Sequence, residues 1–267
     1  MYYIETIRKN KELNMFSNAI VRKPGKNIIK GLTSSDLGIP DYQKALKQHD
    51  IYVNALKNCG LKVKELEADE NYPDSTFIED VALLTPHCAI ITNPGAESRK
   101  GEIVGMRRIL EEYYFDIDEI LSPGTVEGGD IMMVGSHFYI GLSSRTNLTG
   151  AEQIIRILNK YGMNGSIIKL EHVLHLKTGV AYLENNNLVA CGEFLSNPEF
   201  KKYNIIEIPD KESYAANCVW INDTVLIPKG YLITKHRISE AGYSIIEIDV
   251  SEFRKLDGGL SCLSLRF

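Results

Sequence analysis

A cysteine, a histidine and several carboxylates are the residues of this sequence best suited to reaction chemistry. Cys262 follows Gly258, Gly259 and Ser261, small neighbours that leave room for an approaching ligand. A thiol is the best side-chain nucleophile near neutral pH. His175 takes and gives a proton in the same range. Glu127, beside Gly128 and Gly129, is suited to hold an imidazole, which would complete a Cys–His–Glu arrangement. Glu79 and Asp80 add negative charge. A site so rich in carboxylates wants a cation, and the forked donors of a planar guanidinium match carboxylates. The same carboxylates disfavour a thiolate, so Cys262 is expected to have a raised pKa until a cation binds.

Taken singly, each of the five cysteines (Cys59, Cys88, Cys191, Cys218, Cys262) reads more simply as a small buried hydrophobe. Their odd number and the absence of any CxxC pair argue against a disulfide scaffold and against a thiolate zinc site. A reducing cytoplasm is the expected setting. The net charge of −5 offers no basic face for nucleic acid. No apolar run approaches the roughly 18 residues that span a bilayer. Residues 1–14 read as a polar leader, whose order is left open, and 15–267 as a single domain.

The elements that must position these groups show a repeat. FIEDVALLT and CAIITN, VEGGDIMMV and FYIGLS, LKTGVAYLE and NLVACGEF, ANCVWI and TVLIPKG are apolar runs paired across short polar turns. LDGGLSCLSLRF at the end of the chain finds its partner in SNAIVRKPG near the start. Closing the termini in this way is expected to leave no free sheet edge. The first members recur about every 45 residues, an interval typical of repeat arrays. Helical stretches follow most pairs: YQKALKQHDIYVNALKNCG with Gly60 as its cap, GEIVGMRRILEEYYF, and LTGAEQIIRILNKYG ending at Gly162; the third unit's helix, near PEFKKY, is weak. Each is followed by a short strand. The fold class is therefore α/β: five ββαβ units in a pseudosymmetric propeller. Equivalent positions would then face one central channel, which gathers Glu79, Asp80, Glu127, Asp130, His175, Lys177, Asn217, Cys218, Asp257 and Cys262. An ordinary α/β sandwich with coincidental spacing is the alternative.

The motifs IEDVALL, TNPGAESRKGE, EGGD, GLSSRTN, HLKTG, YAANC and DGGLSCLSLRF together resemble the dimethylarginine dimethylaminohydrolase family of the guanidino-modifying pentein superfamily. The likeness runs from about Met15 to Phe267, and seven separated motifs in order make it specific. It implies a five-unit propeller, no metal or organic cofactor, and hydrolysis of Nω,Nω-dimethylarginine and monomethylarginine to citrulline and the methylamine. By resemblance Cys262 is the nucleophile, His175 the general acid and base, and Glu127 the residue that orients the histidine. Asp80 would grip the guanidinium with Glu79 beside it, and Asp74 would meet the α-amino group. Arg99 and Arg145 would bind the α-carboxylate. Leu32 falls in a mobile loop over the site, and the Leu256 carbonyl aligns with another substrate contact.

Arg99 and Arg145 would otherwise be read as solvated charges, and Cys218 as structural. His172, three residues from His175, is its rival, and only the HLKTG match decides between them. The expected partner is a small methylated arginine, with no nucleic acid and no membrane; a homodimer is left open. Arginine or agmatine is the rival substrate, although agmatine would leave both arginines without a carboxylate. A non-catalytic propeller that binds a macromolecule is the rival of another class.

Overall fold

A computed structural model describes residues 16–267. The expected leader, 1–14, lies outside them. The chain forms five separate three-stranded sheets. In the first, β1 (Asn18–Arg22) pairs in parallel with β2 (Lys62–Leu66) and antiparallel with the strand Leu265–Arg266 from the other end of the chain. The expected pairing of the two ends is present.

The other sheets repeat one order: an antiparallel pair whose second strand takes a third in parallel. They are β3 (Ala82–Leu84), β4 (Ala89–Ile91) and β5 (Ile117–Glu119), then β6 (Ile131–Val134), β7 (His137–Leu142) and β8 (Asn164–Lys169). Next come β9 (Val180–Tyr182), β10 (Asn187–Ala190) and β11 (Asn204–Glu207), then β12 (Val219–Ile221), β13 (Thr224–Pro228) and β14 (Ser244–Ile248). The hairpin between β12 and β13 turns at Asn222 and Asp223, both in the left-handed region that tight hairpins require. Because the sheets are separate, each keeps its own edges, and the expectation of no free edge is not met.

Helix α1 (Tyr42–Asn58) buries Ala45, His49, Tyr52, Val53 and Leu56 on one face, as their spacing predicts. Asp41 caps its start by accepting the Lys44 N–H, and Gly60, at φ +91°, ends it with its N–H on the Lys57 carbonyl. The helix expected over GEIVGMRRILEEYYF is broken. Residues Glu97–Ile103 form a 3-10 helix, Gly105 at φ +83° reverses the backbone, and α2 spans only Met106–Leu110. A left-handed residue cannot continue a right-handed helix. Helix α3 (Leu148–Lys160) is capped by Asn147 and buries Ile154 and Leu158 in a cluster with Phe138 and Ile140. Near PEFKKY there is only a 3-10 turn, Pro198–Phe200, and α4 (Leu232–Glu240) covers the fourth repeat. The apolar core is divided into five clusters, one of them joining α1 to residues from both chain ends, Ala19 and Leu263.

The polar residues expected on the first strands sit instead on or beside short turns ahead of them: Ile78–Val81, Gly128–Asp130, Leu176–Gly179, Asp210–Ala216 and Ser261–Leu263. These turns are hydrogen-bonded in a cycle. Asp80 accepts the Gly129 N–H at 2.8 Å, and Asp130 accepts the Leu176 N–H at 3.1 Å. The Asn217 amide reaches the Lys177 carbonyl at 2.9 Å and accepts the Ser261 N–H at 3.0 Å. Ser261 Oγ donates to Glu79 at 2.8 Å, which returns the cycle to its first turn. Gly128 permits the close approach, since a Cβ there would lie 2.0 Å from the Glu79 carbonyl oxygen.

Candidate active site

Nine of the ten residues singled out for the site line one cavity of about 210 Å³: Leu32, Asp74, Asp80, Arg99, Glu127, Arg145, His175, Leu256 and Cys262. The tenth, Glu79, does not. Its carboxylate turns to the rear, where it meets Lys177 at 2.6 Å, Ser261 at 2.8 Å and Arg266 at 3.1 Å. A direct grip on a ligand in the front cavity is therefore not what Glu79 offers here. The 3-10 turn Ile78–Val81 sends neighbouring carboxylates to opposite sides: Asp80 to the front, Glu79 to the rear.

Cys262 sits in the short turn Ser261–Leu263, and the Gly259 N–H lies 3.4 Å from its sulfur. Burial first, then Glu79 and Asp80, pushes the thiol up to about 12. The raised value agrees with the expectation, but the leading cause differs: the carboxylates come second to desolvation. His175 lies between two carboxylates, with Nε2 3.4 Å from Glu127 and Nδ1 3.2 Å from Asp130. Burial works against its charge, yet Asp130, then Asp80 and Glu127, outweigh it and hold the imidazole at about 9. His172 is exposed, its ring near Glu171, and does not line the cavity.

Glu127 is fully buried, and its Oε1 accepts the Gly95 and Ala96 N–H groups at 3.1 and 3.2 Å. Its other oxygen is left to face His175. Burial raises the Glu127 carboxyl, with Asp80 adding to the effect. In Asp80 burial is outweighed by Arg99, and the carboxyl is lowered. Arg99 donates to Asp80 at 2.6 Å, to Glu102, and to the Asp74 and Phe77 carbonyls. It lines the cavity but is already engaged, so Arg145, whose guanidinium among the described residues pairs only with Glu127 at 3.4 Å, is the freer one for an incoming carboxylate. Asp74, raised chiefly by burial, accepts the Leu32 N–H at 3.0 Å. Leu32 is exposed, and its segment is tied down again where Ser34 donates to Asp257.

Asp80, Glu127 and His175 bring possible metal-ligand atoms within 4.8 Å of one another, as do His49, Asp50 and Glu65. In the first group Arg99 and Arg145 already balance the carboxylates. Cys218 is buried at about 12 with desolvation as the leading cause, which fits the structural reading. Sequence reasoning placed Asp130 and Asn217 on the channel and gave neither a role. The EGGD motif carries Asp130, but nothing in its spacing points at His175 Nδ1.

A family model described as "N,N dimethylarginine dimethylhydrolase, eukaryotic" matches residues 39–263. The chain belongs to this dimethylarginine dimethylaminohydrolase family. An N(G),N(G)-dimethylarginine dimethylaminohydrolase of Pseudomonas aeruginosa is 57% identical over 254 residues, covering 95% of this chain and all of that one. A Streptomyces coelicolor member is 31% identical, covering 93% of this chain and 96% of its own. Among solved structures, the Pseudomonas aeruginosa enzyme, as a cysteine-to-serine variant complexed with citrulline, matches with a TM-score of 0.94 at 56% identity over 95% of this chain and 100% of that one. The N-terminal domain of a cyanobacterial arginine dihydrolase matches with a TM-score of 0.83 at 20% identity, covering 95% and 97%, a likeness of fold alone. Among the described residues no helix is long and apolar enough to cross a membrane.

Proposed function

We propose that this chain hydrolyses Nω,Nω-dimethylarginine and monomethylarginine to citrulline and the corresponding methylamine. The observation that carries the reading is a single cavity lined by Cys262 and His175 together with Asp74 and Arg145, which suit an amino acid's charged groups. The citrulline complex of the 56% identical relative supports it.

In this reading Asp80 receives the guanidinium, Asp74 the α-ammonium and Arg145 the α-carboxylate, with Arg99 holding Asp80 in place. The Leu32 segment and the Leu256 carbonyl close the sides. The bound cation offsets the field of Asp80 and lowers the Cys262 pKa, so the thiol proton passes to solvent and the thiolate attacks the guanidinium carbon. His175, protonated at neutral pH, gives its proton to the departing dimethylamine, and a thiouronium joins carbon to sulfur. The now neutral imidazole takes a proton from water and hydroxide adds to the carbon. The carbon–sulfur bond breaks, the added hydroxyl's proton returns to the thiolate, and citrulline leaves. Acid–base help of this kind supplies on the order of 10²–10⁴ in rate. Glu127 orients the ring.

We also propose that the five sheets form one propeller domain over 15–267. The cycle of bonds joining the five turns supports this arrangement. The five free thiols suit a reducing cytoplasm. A colorimetric citrulline assay run in parallel on dimethylarginine, monomethylarginine, arginine and agmatine tests the activity. Preference for a methylated arginine is the expected result; preference for arginine or agmatine moves the substrate, and inactivity on all four returns the chain to a binding role. Cys262→Ser should abolish turnover while citrulline still binds.

A further inference from the structure

The YAANC motif ends on a side chain that the reaction above leaves unused. Asn217 follows the 3-10 turn Asp210–Ala216 and is 7% exposed. Both of its N–H donors and its carbonyl oxygen are engaged, and they reach two different turns. Its Oδ1 accepts the Ser261 N–H at 3.0 Å, and its Nδ2 donates to Ser261 Oγ at 3.1 Å and to the Lys177 carbonyl at 2.9 Å. Ser261 precedes Cys262, and Lys177 lies two residues beyond His175. One amide therefore ties the turn carrying the thiol to the turn carrying the imidazole. Gly259 makes the fit possible, because a Cβ there would lie 2.5 Å from Cγ and Oδ1 of Asn217.

We propose that Asn217 is a positioning residue for the hydrolysis, setting the separation of the Cys262 sulfur and the His175 ring; this rests on the activity proposed above. Only a neutral amide meets the demands of the place. It needs an acceptor for one N–H and two donors for a hydroxyl and a carbonyl, all buried. An aspartate keeps the acceptor, loses both donors and faces the Lys177 carbonyl with charge. Alanine leaves the Ser261 N–H and the Lys177 carbonyl without a partner, and both turns relax independently. Asn217 touches neither cavity-end residue that meets the substrate's charged groups, so binding should survive where chemistry fails.

The test is steady-state kinetics of Asn217→Ala and Asn217→Asp, with citrulline affinity by calorimetry and Cys262 alkylation by iodoacetamide measured on the same preparations. A misplacement of about 1 Å costs on the order of 10²-fold in rate. The expected result is a kcat loss of that order with KM and citrulline Kd within about threefold. The alkylation rate should change at least fivefold. Asn217→Asp should regain turnover relative to wild type as pH falls, since a protonated carboxyl again donates to the Lys177 carbonyl. If Asn217→Ala does not fold, the nearly isosteric Asp variant decides. A folded variant with kcat within threefold of wild type, or with kcat and citrulline affinity falling together, overturns the positioning role. Wild-type inactivity on all four guanidines instead overturns the activity; alkylation, which needs no substrate, then still reads the position of Cys262, and an unchanged rate overturns the proposal.

Discussion

Asp130 Oδ2 lies 3.2 Å from Nδ1 of His175, on the opposite side of the ring from Glu127. The same carboxylate also accepts from Ser143 and Thr146 and from the Leu176 N–H, so its position is fixed by three other contacts. An imidazole between two buried carboxylates is held protonated well above its ordinary range.

That relationship sets a pH dependence. In the proposed mechanism the imidazolium is the acid that protonates the leaving amine, and it is held at about 9. Turnover is expected to be retained below that value and to fall as pH rises through it. Asp130→Asn removes the largest upward influence, so the basic limb of the kcat/KM profile should move to lower pH. An unmoved limb in that variant would assign it to another group.

The same shift is linked to stability. The folded value lies above the ordinary histidine value of about 6.5, so His175 contributes stability fully below about 6.5 and loses it as pH rises through about 9. Thermal denaturation of wild type and His175→Gln at pH 6 and pH 10 should show a larger difference at pH 6. Equal differences at both would contradict the linkage.

Cys262 is held at about 12 by burial and by the charges of Glu79 and Asp80. A bound cation removes part of the second cause. Thiolate absorbance, titrated with and without a non-reactive cationic arginine analogue, should give a lower apparent pKa in the complex. No shift would mean that the substrate does not activate its own nucleophile.

Arg145 has one ion pair, at 3.4 Å, and Arg99 has its donors on Asp80, Glu102 and two carbonyls. Arg145→Ala should therefore raise KM for dimethylarginine on the order of 10–100-fold, the worth of a charged hydrogen bond, with little effect on kcat. Agmatine, which has no carboxylate, should be affected least. Arg99→Ala should instead lower kcat, through Asp80.

Gly128→Ala places a methyl 2.0 Å from the Glu79 carbonyl oxygen, and backbone cannot yield as a flexible side chain does. Overpacking of this kind costs about 1–3 kcal/mol. A fall in Tm with loss of turnover is expected, because the displaced turn carries Asp80. An unchanged Tm would mean that the two turns are not in tight contact.

Much of this was legible in the sequence, for local reasons. The length of α1 follows from its apolar spacing and from Gly60, and the pairing of the chain ends follows from matched apolar runs. Cys262, His175 and Glu127 stood out because glycines or small residues flank two of them and the motif fixed the third. The direction of side chains on short turns was not legible. Glu79 and Asp80 are neighbours of one type, and only the fold of the Ile78–Val81 turn sends one to the cavity and the other to Lys177 and Arg266. Asp130 reaches His175 across 44 intervening positions of chain, and Arg99 finds Asp80 from a 3-10 helix, Glu97–Ile103, that begins ahead of the stretch read as helical. Such pairings depend on tertiary distance, which periodicity does not encode.

The first sheet takes one strand from Leu265–Arg266 and two from residues before 67. A ribosome makes the chain from its N-terminus, so β1 waits for its antiparallel neighbour until nearly every other strand has been made. Cys262 lies within that last stretch. The Cys262 sulfur therefore joins the cavity that His175 lines late in synthesis, and a nascent chain released before residue 262 carries the other cavity residues but not the proposed nucleophile.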